Sequence, residues 1–221
     1  MKVMILAAGR GERLRPLTDT TPKPLIAVRA KPLIVHHLER LHVAGFRDVV
    51  INVFWLADKI MGFLGDGLRY GVHIQYSEES EGALETGGGI LKALPLLGSE
   101  PFLVVNGDIY TDFPFETLKF ALKGKDLAHL VMVPNPSNYP QGDFHLAADG
   151  RLYAEGTQRL TYAGIGVHHP DFFKSCLPGR FSMLPWWQKA MRVRHVSGEL
   201  YSGCWHDIGT PESLAASSRS S

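Results

Sequence analysis

At 221 residues and a formal net charge of +1, the chain suits one α/β domain, or one with a small appended lobe, and is long enough to enclose a sizeable core. The near-neutral balance supplies no broad field for nucleic acid or an anionic membrane, so basic clusters are local features that suit small anionic ligands. Cys176 and Cys204 form no C-x-x-C pair and no apolar run reaches membrane-span length, which argues against a zinc site and a membrane anchor and favours two buried thiols in a cytoplasmic protein, with a disulfide as the alternative.

Residues 3–8 form a short apolar run that fits a buried strand and is too short for a signal-peptide core. Gly9 and Gly11 then force a sharp turn, and Arg13, Arg15 and Lys23 place three positive charges on the loop that follows. A glycine loop at a strand end lets backbone N–H groups approach phosphate oxygens, so this stretch reads as a grip for a nucleoside triphosphate. It is neither a P-loop, which needs G-x-x-x-x-G-K-[ST], nor a dinucleotide fingerprint, whose third glycine is replaced by Leu14.

Residues 32–44 read as a helix, with Pro32 in its first turn, Ile34, Leu38 and Leu41 on one face, and Gly45 as C-terminal cap. Strands are expected over 48–53 and 72–76, with a helix over 56–64 between them that Gly65 ends. Residues 85–90 (ETGGGI) precede a short helix through Leu94; their three glycines oppose helix formation, so they are expected only at a helix N-terminus or in a turn. Residues 102–105 form an apolar strand running into Asn106, Gly107 and Asp108. A carboxylate at the end of a parallel strand points into the crevice where α/β sheets bind ligands, which makes Asp108 a candidate magnesium ligand. Asp112 is a candidate for a nearby hydrogen bond.

Further along, a helix over 115–122, a strand over 127–133, a loop over 135–142, a hairpin turning at Asp149-Gly150 and a strand over 161–168 are expected. Gly142, Glu155 and Gly164 are candidates for a sugar-phosphate pocket and equally suit plain turn and strand positions. Residues 170–176 and 184–191 read as helices or helical turns, with Trp186 and Trp187 as packing residues. A late strand over 201–208 carries Asp207, and Thr210-Pro211-Glu212 is a helix start. Residues 217–221 are expected to fray. The adjacent pairs His36-His37 and His168-His169 make no natural two-ligand site, because neighbouring side chains diverge on strands and helices alike. Alternating strands and helices imply an α/β fold with a mostly parallel sheet between helical layers.

Residues 6–25, LAAGRGERLRPLTDTTPKPL, resemble the signature of the sugar-1-phosphate nucleotidyltransferases, L-A-A-G-x-G-x-R, then Pro-Leu-Thr, then Pro-Lys-Pro; the resemblance continues at N-G-D over 106–108 and W-H-D-I-G-T-P-E over 205–212. It implies a Rossmann-like three-layer sandwich of the nucleotide-diphospho-sugar transferase type in a single domain, with residues up to about 110 on the nucleotide and 111–221 on the sugar phosphate. It further implies that Leu6, Ala7, Ala8, Gly9, Gly11, Glu12, Thr86, Gly88 and Asn106 bind the nucleotide, that Arg13 and Lys23 bind phosphates and stabilise the displacement, and that Asp108 and Asp207 hold Mg²⁺. Glu85 and Gly87 depart from the family's L-G-T-A-G base segment, and Glu155 is followed by Gly156 where the family's sugar site has Glu-Lys-Pro. The short chain, the segment over 84–89 and the missing Glu-Lys-Pro resemble the family's uridylyltransferases that act on N-acetylmuramic acid 1-phosphate in cell-wall recycling, so UTP and that sugar phosphate are the expected partners. Mannose- or glucose-1-phosphate nucleotidyltransferases using GTP, UTP or dTTP are the rivals within the family, and a non-catalytic sugar-nucleotide sensor is the rival outside it. Against the C-terminal β-helix or acetyltransferase domain that some members of the family carry, the short chain is expected to have no second activity.

Overall fold

The computed structural model describes residues 1–80 and 82–219. In chain order the elements are β1 (Val3–Leu6), α1 (Leu17–Thr20), β2 (Ala27–Val28), β3 (Lys31–Pro32), α2 (Leu33–Val43), β4 (Asp48–Val53), α3 (Ala57–Leu64), β5 (His73–Glu78), α4 (Glu85–Leu97), β6 (Phe102–Asn106) and β7 (Ile109–Thr111). They continue with β8 (Ala128–Val133), β9 (Phe144–Leu146), β10 (Leu152–Tyr153), β11 (Arg159–His168), α5 (Leu184–Arg192), β12 (Val196–Leu200), β13 (Trp205–Asp207) and α6 (Pro211–Arg219).

The main sheet runs β10-β9-β11-β6-β1-β4-β5, with β8 on β11 and β12 on β8. β1 pairs in parallel with β4 and β6, β4 with β5, and β12 with β8; β11 is antiparallel to both β6 and β8. Alternation of side chains builds two cores from the same strands. Val3, Ile5, Val49, Ile51, Leu103 and Val105 face α2 and α3, whereas Met4, Val50, Phe102 and Val104 face α4 and α5. The result is the expected three-layer sandwich. The strand order decides where a ligand fits: after β5 the chain returns to the other side of β1, and its connecting helix α4 crosses on the opposite face from α2 and α3. The C-terminal ends of β1 and β6 therefore lie at a topological switch point, where open α/β sheets leave a crevice.

Several elements differ from the sequence expectation. Pro32 is the N-cap of α2 rather than its first residue, while Gly45 ends that helix as expected: its N–H donates to the His42 carbonyl and that of Phe46 to the Leu41 carbonyl, at 2.9 Å each. Residues 115–120 form a 3₁₀ helix in place of an α-helix. The late strand is confined to β13, and β7 and β12 are additional. β12 escapes periodicity because Gly198 interrupts it; a Cβ there would lie 2.8 Å from the Leu130 carbonyl. Gly87, Gly88 and Gly89 all lie inside α4, against their helix propensity. The reason is space: a Cβ on Gly87 would lie 2.3 Å from the Phe181 ring, and one on Gly88 would lie 2.1 Å from the Gly179 carbonyl oxygen. Ser217, expected to fray, is helical and buried, and its carbonyl accepts from Arg29 Nε at 3.2 Å. Ser220 and Ser221 lie outside the described residues. Both cysteines are free thiols and only half-buried. Among the described residues no helix is long and apolar enough to cross a membrane.

Trp187 packs as expected, its indole N–H donating to His168 Nε2 at 3.0 Å inside the second core. Burial holds the His37, His129 and His168 imidazoles down to about 4. An unfolded chain protonates the same groups near their ordinary value, so it binds more protons than the folded chain at mildly acidic pH. Stability is therefore expected to be full above the ordinary histidine range and to fall as pH drops toward 4. The loss is about 1 kcal/mol per buried histidine by roughly pH 5.5. Urea midpoints at pH 7.5 and 5.5 test this; an unchanged midpoint would mean that these rings reach solvent.

Candidate active site

The loop after β1 folds back on itself because Gly11 takes a left-handed φ of 70°. Its carbonyl accepts from the Leu14 N–H and from Thr18 Oγ1, both at 2.9 Å. Added bulk at Gly11 would press on Thr18 and Lys23. The turn delivers Lys23, which opens a 3₁₀ turn behind Pro22 and is only 8% exposed. Its Nζ lies 2.7 Å from Asp108 Oδ2.

One cleft collects most of the expected nucleotide residues. Leu6, Ala7, Ala8 and Gly9 form one wall, Thr86 and Glu85 at the start of α4 the other, and Asn106, Asp108 and Lys23 close its end. The strand ends explain this: Leu6 and Asn106 are register partners on β1 and β6. Gly164 packs behind Asn106 without lining the cleft: its left-handed backbone lets β11 pass against that side chain, where a Cβ would lie 2.8 Å from Nδ2.

Asp207 reaches the same place from the far end of the chain. β13 pairs antiparallel with β7, setting Asp207 opposite Ile109, and the Ile208 N–H donates to the Asp108 carbonyl at 2.8 Å. Asp108 immediately precedes β7, so the two carboxylates sit on adjoining strand ends. Burial and the charge of Asp108 push the Asp207 carboxyl up, against the pull of Lys23 and Arg13. Arg13 and Asp207 both crowd Gly209, whose added Cβ would lie 2.7 Å from the guanidinium and 2.9 Å from Asp207 Oδ2. Arg13 and Asp207 also line a second hollow with Tyr139, Thr161, Trp205 and His206. Among the described residues no group of three or more His, Cys, Asp or Glu side chains could hold a metal.

Other candidates stand apart. Gly88 faces Gly179, and its N–H donates to the Phe181 carbonyl at 3.2 Å, away from the cleft. Glu12 pairs with Arg10 and Arg15 on the surface. Gly142 takes a left-handed turn tight against Asn135 and Arg159, and Glu155 lines a separate hollow with Gln188 and Arg192. Asp112 accepts from Tyr201 and from the Cys204 N–H, tying β7 to the segment before β13.

Sequence reasoning missed Asn52 and Glu79, which form the cleft floor. The available signal was a polar residue at the end of an apolar strand, as at Asn106. It also missed the segment over 177–182, whose Phe181 and Arg180 hold the start of α4 through backbone bonds and an Arg180–Glu85 ion pair at 2.9 Å.

A family model described as "Nucleotidyl transferase" matches residues 2–142. The chain is 52% identical over 217 residues to an N-acetylmuramate alpha-1-phosphate uridylyltransferase of Neisseria meningitidis, covering 95% of this chain and 94% of that one. It is 34% identical over 230 residues to a protein of the same name from Caulobacter vibrioides, covering 98% and 95%. Among solved structures, HddC from Yersinia pseudotuberculosis superposes with a TM-score of 0.81 at 22% identity, covering 98% of this chain and 97% of that chain.

Proposed function

The chain belongs to the nucleotidyl transferase family, and on that premise we propose that it transfers a uridylyl group from UTP to N-acetylmuramic acid α-1-phosphate, releasing pyrophosphate and the UDP-sugar. The observation that carries this substrate pair is the 52% identity to the Neisseria uridylyltransferase over nearly the full length of both chains. An oxygen of the sugar phosphate attacks the α-phosphorus of UTP while the bond to the β-phosphate oxygen breaks. The attacking oxygen is already ionised, so no protein nucleophile or base is needed, and catalysis reduces to positioning and charge neutralisation.

In this reading the backbone of residues 6–9 and Thr86 cradle the nucleotide, Lys23 binds the transferring phosphoryl group, and Arg13 binds the departing pyrophosphate. Residues up to about 110 serve the nucleotide and those after it the sugar phosphate. Asp108 and Asp207 fit Mg²⁺: they are hard oxygen donors on adjoining strand ends, and burial together with the Asp108 charge pushes the Asp207 carboxyl up, a penalty on its charged form that a divalent cation would relieve. Bound there, the ion would neutralise phosphate charge as the two anions meet. The sugar implies a role in cell-wall recycling, and a triphosphate substrate implies the cytoplasm.

Pyrophosphate release measured over a matrix of triphosphates and sugar 1-phosphates, with and without Mg²⁺, tests the reading. UTP with N-acetylmuramic acid α-1-phosphate is expected to give the highest kcat/KM, and only with the metal. Preference for mannose or glucose 1-phosphate with another triphosphate would replace the substrate pair, and release with no pair would leave a sugar-nucleotide sensor.

A further inference from the structure

Under the nucleotide cleft runs a chain of three hydrogen bonds, two buried and the third partly so, whose donors and acceptors can be arranged in only one way. The Ala7 N–H donates to Asn52 Oδ1 at 2.8 Å, Asn52 Nδ2 donates to Glu79 Oε1 at 2.7 Å, and the Leu84 N–H donates to Glu79 Oε2 at 2.7 Å. Asn52 is 3% exposed and Glu79 4%. Gly89 of α4 closes over the pair, since a Cβ there would lie 2.8 Å from both Asn52 Nδ2 and Glu79 Oε1. The two ends of this chain are the walls of the cleft: Ala7 begins the glycine loop, and Leu84 caps α4 immediately before Glu85 and Thr86.

We propose that Asn52 and Glu79 are positioning residues that set the separation of the glycine loop and the start of α4, and thereby the affinity for the nucleoside triphosphate. Its ends fix the polarity. Both are backbone N–H groups, so each must meet an acceptor. Asn52 spends its oxygen on Ala7 and has only its amide NH₂ left to offer inward. The next group must therefore accept from both sides, which a carboxylate does and a carboxamide cannot. Glutamine at 79 would aim its NH₂ at either the Asn52 NH₂ or the Leu84 N–H. Aspartate at 52 would face the Glu79 carboxylate with no proton between them. Either single change leaves buried polar groups mismatched while hardly altering volume.

The same logic gives a reciprocal rescue. In the Asn52→Asp/Glu79→Gln double variant, Asp at 52 accepts from Ala7 and from the glutamine NH₂, and the glutamine oxygen accepts from Leu84. Every bond is restored with its direction reversed in the middle, at the same net charge. The functional consequence rests on the nucleotidyl-transfer reading; the bond polarity does not.

The test is equilibrium binding of UTP to the wild type, both single variants and the double variant, alongside the KM for the sugar 1-phosphate and the thermal midpoint. Each single change is expected to weaken UTP binding about ten-fold or more, with the sugar-phosphate KM within about two-fold of wild type, and the double variant is expected to return close to wild type in both UTP affinity and thermal midpoint. Wild-type UTP affinity in the single variants, equal losses for both substrates, or a double variant as weak as the sum of its parts would overturn the proposal. If the wild type binds a different triphosphate, UTP was the wrong substrate, and the same comparison with that nucleotide judges the brace. Were it to bind none, the functional reading would fail, and recovery of the double variant's thermal midpoint would judge the bond polarity by itself.

Discussion

Turnover by the Lys23→Ala variant is expected to fall by about two to three powers of ten, the scale of losing one preorganised electrostatic contact. The ammonium group is nearly buried and 2.7 Å from Asp108 Oδ2, so its position is set before any ligand arrives. In the proposed reaction it faces a phosphoryl group that gains charge during the displacement, so the loss should appear mainly in kcat. Truncation also leaves Asp108 beside Asp207 without its nearest cation. Lys23→Met, which keeps most of the side-chain volume, separates this charge effect from lost packing and should be as inactive as Lys23→Ala. Near-normal turnover of either variant with Mg²⁺ supplied would remove Lys23 from the reaction.

The second large effect belongs to the acidic pair. Asp108→Ala and Asp207→Asn are each expected to cost about two to three powers of ten in turnover and to raise the Mg²⁺ concentration needed for half-maximal rate. Because one ion would serve both carboxylates, combining the two changes should cost far less than the product of the single losses. Stability should move the other way. Burial and the neighbouring Asp108 disfavour the charged Asp207 carboxyl, so Asp207→Asn is expected to raise the thermal midpoint of the metal-free chain. A variant that is less stable and fully active would contradict the assignment on both counts.

Much of this architecture is written locally. The alternation of Val3 and Ile5 with Met4, and of Leu103 and Val105 with Phe102 and Val104, feeds both cores, and such runs read as buried strands in isolation. Gly45, Gly65 and Thr210-Pro211 mark helix ends through backbone chemistry confined to a few residues. Residues 87–89 do sit at a helix N-terminus, as local rules allowed, but the helix begins at Glu85 rather than after them, because close packing against residues 179–181 outweighs their intrinsic propensity. They also left the sugar-phosphate candidates scattered, with Gly164 against Asn106 and Glu155 in a different hollow.

By itself the sequence determined the strand-and-helix alternation, the glycine loop and its cations, and the residue types able to bind phosphate and a hard metal ion. Tertiary structure alone decided that Asp207 meets Asp108 across β7 and β13, that Asn52 and Glu79 lock together beneath the loop, and that Gly88 turns from the cleft toward Gly179. The division is physical. Periodicity, turns and caps are satisfied within a few residues, whereas distant side chains meet only after the whole sheet has chosen its strand order, a choice made by the summed burial of both faces rather than by any one motif.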